Sequence, residues 1–279
     1  MLLLVALTVG LTIVFAAEAF RPVSRRYVNR FLRRYPIRMS VANGPMVVRR
    51  LARVRSARTI GGLAGALVAG AAGVLGFRFN LLFSVGIGYL LGAVVAEMPS
   101  RNDRIAARRP AASLIPRRLG DYVPRWLVVA PFVIVGVTLA IEVASALGAE
   151  RPGLGAHTAG RGAVGIGAML LASGLTLVTA RTILYRRQPY TTAEMLSADD
   201  ALRAASLHCV CGGGAAIVAV IASVSLWSVG VRSDVQLLRW IAPWLALALM
   251  FAAYFAWFGM RVAPWFVRRP YAAVVGPTP

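Results

Sequence analysis

Seven long apolar runs, separated by joints whose arginines fall almost entirely on alternate sides, constrain this chain more than any other feature. A helix needs roughly 20 apolar residues to cross about 30 Å of hydrocarbon. Residues 2–20, 60–77, 81–98, 126–147, 162–180, 209–231 and 240–260 meet or approach that length. No water in the hydrocarbon satisfies backbone N–H and C=O groups, so each run must satisfy its own as a helix. The expected fold is therefore all-α: a polytopic transmembrane bundle of about seven spans. Only Arg78, Phe79 and Asn80 separate the second and third runs, which predicts a tight antiparallel hairpin. Charged residues make up 15% of the chain, well below the roughly 25% of a soluble domain.

The arginines set the orientation. Residues 21–58 hold twelve and no acid, residues 99–125 seven, residues 181–208 four, and the stretch after 260 three. The alternate joints hold only Arg78, Arg151, Arg161, Arg232 and Arg239. Basic residues stay on the cytoplasmic side of short loops, so the N-terminus is expected outside and the C-terminus in the cytoplasm. The formal charge of +21 would suit nucleic acid in a soluble protein. Its confinement to joints between apolar runs points to membrane topology instead, and no nucleic-acid partner is expected. All 31 basic residues are arginine, and Ala, Gly, Pro and Val are abundant. That bias fits a GC-rich coding sequence and a bacterial plasma membrane.

Three parts follow. Residues 1–20 form an N-terminal anchor. Ala17-Glu18-Ala19 resembles a signal cleavage site, but no basic segment precedes the run and an arginine-rich stretch follows it, so the anchor is expected to be retained. Residues 21–58 are an arginine-rich amphipathic cytoplasmic segment. Residues 59–279 form a six-span bundle with cytoplasmic loops at 99–125 and 181–208.

In the arginine-rich segment Val28, Phe31, Leu32 and Tyr35 share a helical face bordered by Arg26, Arg30, Arg33 and Arg34. Val47, Leu51 and Val54 repeat the pattern among Arg49, Arg50 and Arg53. Both stretches read as interfacial helices, with the apolar side in the acyl boundary and guanidinium groups on anionic headgroups. Topogenic charge alone, or an acidic protein partner, explains the same pattern. An arginine pair precedes a proline at Arg33-Arg34-Tyr35-Pro36, Arg108-Arg109-Pro110, Arg186-Arg187-Gln188-Pro189 and Arg268-Arg269-Pro270, which would stop each helix after a basic collar.

Small residues recur every four positions at Gly61, Gly65, Ala69 and Gly73, and again at Gly88, Gly92 and Ala96. Such stripes let helix backbones approach closely in lipid, either within one chain or between two. In the loop before the sixth run, Thr191 to Glu194 and Ser197 to Asp200 both match a helix-capping spacing. The second predicts a lead-in helix from Asp199 to His208 that continues into the span.

Candidate chemistry is sparse. Glu142 lies about 7–8 Å inside the outer end of the fourth run, and an acid at that depth is a transport candidate by default. Arg161 or Arg232 are its expected partners. Glu97 is expected to pair with Arg101, one turn on. His157 and His208 fall on opposite sides of the membrane and share no metal or haem. His208, Cys209 and Cys211 lack a fourth ligand, and two cysteines so close together form no disulfide framework. Neither a metal nor a cofactor is expected, and none of the common hydrolase, zinc-protease or phosphate-loop motifs occurs.

The joint Ala111-Ala112-Ser113-Leu114-Ile115-Pro116-Arg117-Arg118-Leu119-Gly120-Asp121-Tyr122-Val123-Pro124-Arg125 resembles loops in uncharacterised multispan membrane proteins of high-GC actinobacteria. The resemblance covers about a tenth of the chain and implies a source and a class, with no activity. The functional expectation is a non-enzymatic accessory or interaction subunit, using anionic lipids or another protein as partner. The alternative is a small-molecule or ion permease with Glu142 in its path.

Overall fold

The computed structural model describes residues 22–35, 37–74, 81–97, 118–147, 152–186, 193–233 and 235–262, with Gly10, Ile13, Val14 and Ala17 of the first apolar run. Among the described residues the chain is all-helical, with no strand. The helices are α1 (Arg25–Arg34), α2 (Gly44–Val74), α3 (Leu81–Glu97), α4 (Arg125–Leu147), α5 (Pro152–Tyr185), α6 (Ala193–Arg232) and α7 (Gln236–Val262), with one 3-10 turn at Leu119–Asp121. Four of them, within α4, α5, α6 and α7, are long and apolar enough to cross a membrane. The chain divides into two units. One holds Met1–Tyr122, Arg181–Val210 and Val267–Pro279; the other holds Val123–Ala180 and Cys211–Phe266.

In the first unit, α2 and α3 pack through their small residues. A Cβ added to Gly61 would strike the carbonyl oxygen of Gly88, and one added to Gly88 would strike that of Gly61. Gly65 meets the Ser84 carbonyl in the same way, and Gly92 meets that of Ala57. These pairs step four residues at a time in opposite directions, the register of an antiparallel hairpin. Backbones this close exclude any side chain and bring Cα–H groups onto carbonyl oxygens. The stripes are therefore used within the chain.

In the second unit, α6 is the central helix. Val218 and Ala222 pack with Val135 of α4 and Met169 of α5. Leu226 and Val229 pack with Ala242 and Ala246 of α7. The apolar stretch of α6 is 72% buried, against 22% for α4, 22% for α5 and 17% for α7. Its run of Gly, Ala and Ser allows helices to close around it: Gly214 faces Thr176, Gly165 of α5 faces Ser225, and Gly230 faces the ring of Pro243. The outer helices instead turn large apolar side chains outward, among them Trp240, Trp244, Phe251 and Phe255 of α7.

Several local expectations change. The lead-in helix exists, but it begins at Ala193, so Ser197 is not its cap. Its hydroxyl donates to the Glu194 carbonyl from inside the helix (2.9 Å). The fifth apolar run is the later part of a helix that starts at Pro152. Helices α1 and α5 end at Arg34 and Tyr185, beside two of the four arginine–proline collars; the collars at 108–110 and 268–270 lie outside the described residues. So do most of the first run, the Arg78–Asn80 turn and residues 111–117 of the resembling loop.

Candidate functional site

The arginine-rich segment is two helices with an ordered link. The hydroxyl of Ser24 accepts the Tyr27 N–H (3.3 Å) and caps α1, a helix with no acid in its first turn. Arg33 and Arg34 occupy the last turn, where positive charge complements the helix dipole. In the link, Asn43 Oδ1 accepts from the Ser40 N–H (2.8 Å), and Asn43 Nδ2 donates to the Arg38 carbonyl (2.9 Å). Asn43 is fully buried.

The apolar faces do not point where an interfacial helix would put them. Phe31 and Tyr35 of α1 are each 7% exposed, and Val47, Leu51 and Val54 of α2 are buried too. Protein covers these five side chains, while Val28 and Leu32 of the same face are half-buried.

The arginines then fall into two groups. Arg50 turns inward to a salt bridge with Glu97, whose side chain is 1% exposed. The pair lies beyond the glycine contacts at the same end of the α2–α3 hairpin, and Glu97 thus takes an arginine from the neighbouring helix; Arg101 lies outside the described residues. Arg58 donates to Cys209 Sγ (2.6 Å), and Arg55 to the Pro22 carbonyl (3.3 Å). Cys209 is thus a hydrogen-bond acceptor at the head of the sixth run and not simply packing; Cys211 is buried. By contrast Arg25, Arg26, Arg30 and Arg33 are exposed and make no hydrogen bond or ion pair among the described residues. Arg38, Arg49 and Arg53 are exposed as well, whereas Arg34 is half-buried.

His208 anchors α1. Its Nε2 lies 2.6 Å from the Tyr122 carbonyl, which only accepts, so Nε2 carries a proton. Its Nδ1 lies 2.9 Å from the Tyr35 hydroxyl. Burial pushes that hydroxyl well above the usual tyrosine range, outweighing the Arg34 and Arg58 charges. It stays protonated and donates to Nδ1, leaving His208 as a neutral bridge between α1 and the loop before α4.

A second set of buried charges was missed by sequence reasoning. Arg203 is fully buried, and Nη1 donates to the carbonyls of Ile183 (2.9 Å) and Leu184 (2.6 Å) at the end of α5. Both Nη atoms reach the Arg186 carbonyl (3.1 Å), and Nη2 pairs with Asp199 (2.9 Å). The other Asp199 oxygen takes Arg186 (2.6 Å). Arg203 thus caps a helix C-terminus whose carbonyls have no intrahelical partner. Its one sequence signal is the four-residue spacing from Asp199.

Glu142 is half-buried, its carboxylate set against Gly162 of α5. No described side chain gives it a hydrogen bond or ion pair; the Arg161 and Arg232 side chains fall outside the described residues. Among the described residues no three His, Cys, Asp or Glu side chains gather as metal ligands. The geometry offers an exposed cationic face in the first unit and, in the second, a carboxylate with no partner among the described residues. No family model, curated protein or solved structure matches the chain.

Proposed function

We propose that the chain is a seven-span integral protein of a bacterial plasma membrane, N-terminus outside and C-terminus cytoplasmic. In this reading it works without catalysis, as an accessory or interaction subunit that meets an anionic lipid or protein partner through its arginine-rich face. The observation that carries the reading is the ordered exposure of Arg25, Arg26, Arg30 and Arg33 on a helix whose other face is locked onto protein. Holding like charges on one rigid face repels them from one another, and an anionic partner offsets that repulsion. The test is extraction of tagged protein in mild detergent, with stoichiometric companions identified by mass spectrometry. A reproducible companion, weakened in Arg25→Gln/Arg26→Gln/Arg30→Gln/Arg33→Gln, supports the reading; a solitary wild-type particle overturns the protein-partner form of it. Arg50 is left out of this variant because its ion pair with Glu97 makes it part of the fold.

One observation favours the second reading, a small-molecule or ion permease: the Glu142 carboxylate sits at the α4–α5 contact beside a glycine, with no described partner. Loss of ion flux in proteoliposomes on Glu142→Gln, with folding intact, supports it, and unchanged flux removes it.

A further inference from the structure

The height of α1 follows from where its two ends are fastened. At the start, the Pro22 carbonyl accepts from Arg55. Arg55 belongs to α2, five residues before the apolar run that opens at Ile60, so it stands roughly 7–8 Å outside the hydrocarbon at about 1.5 Å per residue. At the end, Tyr35 donates to His208, the residue immediately before the apolar run that opens at Cys209. The headgroup layer is roughly 5–8 Å thick on each side of the hydrocarbon, so both fastenings fall in or beside it. The two fastenings differ in height by about 6 Å, so a helix of ten residues, about 15 Å long, held at both ends lies nearer to parallel than to perpendicular to the membrane surface.

Its faces are also fixed. At 3.6 residues per turn, Arg25, Asn29, Arg33, Arg26 and Arg30 span about 140° of one side, and all five are exposed. Phe31 and Tyr35 lie on the opposite side and are buried. The segment 21–58 contains no acid to neutralise this face.

We infer that α1 is a strap lying flat in the headgroup layer of the inner leaflet, and that Arg25, Arg26, Arg30 and Arg33 bind the phosphates of anionic lipids. This rests on the arginine-face reading and orientation proposed above and assigns that face its ligand. The mode differs from an amphipathic interfacial helix: the apolar side clamps to protein, and only the guanidinium groups meet lipid. Guanidinium forks match phosphate oxygens in pairs, so the site selects phosphate-bearing anions as well as negative charge.

Two measurements test it. Full-length protein is reconstituted in phosphatidylcholine nanodiscs containing a minor fraction of phosphatidylglycerol, and the lipid retained on extraction is quantified. Wild type should retain phosphatidylglycerol above its share in the disc, and molar salt should abolish the excess. Arg25→Gln/Arg26→Gln/Arg30→Gln/Arg33→Gln should weaken retention by about tenfold or more at an unfolding temperature that is unchanged in zwitterionic detergent. Equal retention by wild type and the folded variant overturns the site. In the second, a photo-crosslinking amino acid replaces Asn29 in cell membranes. An adduct of lipid mass supports the strap. A protein adduct without lipid overturns the lipid assignment yet leaves the accessory reading standing, so the two fail separately.

Discussion

Arg203 and Arg30 belong to the same chain and the same surplus of positive charge, yet their surroundings are opposite. Arg203 has three backbone carbonyls and a carboxylate within hydrogen-bond reach and is fully buried. Arg30, on the outer face of α1, has neither within reach among the described residues and stays exposed. A guanidinium is tolerated inside only where acceptors replace its hydration. The difference thus lies in what the fold delivers to each arginine. A helix end delivers carbonyls to Arg203, and α3 delivers Glu97 to Arg50, whereas Arg25, Arg26, Arg30 and Arg33 of α1 meet no acceptor among the described residues. Charge counts along the sequence treat all of these as one population.

The contrast breaks most sharply at Arg203. Arg203→Met should destabilise the fold by about 3–5 kcal/mol, because it takes one of the two arginines from Asp199 and strips a donor from the end of α5. Thermal unfolding in detergent measures this; a loss near zero would make Arg203 one more topogenic charge. Next comes Glu97→Gln, expected to cost about 3 kcal/mol by leaving the Arg50 charge half-enclosed without its carboxylate. The double variant Arg50→Met/Glu97→Met should be less damaging than the sum of its single changes, and a double-mutant cycle gives the coupling.

How much of this was legible depends on range. The glycine stripes of α2 and α3 could be read because their meaning is carried by a period of four within each helix. The lead-in to α6 was legible for the same reason, although its start was not: a capping spacing at Ser197 looks alike whether the helix opens there or four residues earlier. Glu97 has an arginine one turn along its own chain and another on the adjacent helix, and spacing cannot choose between them. The Arg203 cap depends on where α5 stops. The His208 bridge joins residues 173 and 86 positions away, Tyr35 and Tyr122. No local pattern encodes such distances. The spacing of Phe31 and Tyr35 places them on one face of the segment, but whether lipid or protein covers that face is set by tertiary packing.

That bridge sharpens the comparison at the level of one helix. Tyr35→Phe removes the donor and leaves His208 Nδ1 buried without it, a cost of about 1–3 kcal/mol. The cost should appear locally. Amide exchange should rise in residues 25–35 while the α2–α3 hairpin, held by its glycine contacts, keeps its protection. Equal loosening of both would mean that α1 and the hairpin open as one unit.

The smallest effect is expected where the exposed arginines stand, and its smallness is informative. Arg30→Gln should change the unfolding free energy by less than about 0.5 kcal/mol in zwitterionic detergent, since no described acceptor loses a partner. In bilayers rich in anionic lipid the same substitution should lower stability, because a ligand that binds only the folded strap adds to it by mass action. A surface arginine with only a topogenic role would give the same small change in both settings. The pair of measurements therefore separates an arginine that merely marks the cytoplasmic side from one that holds a phosphate.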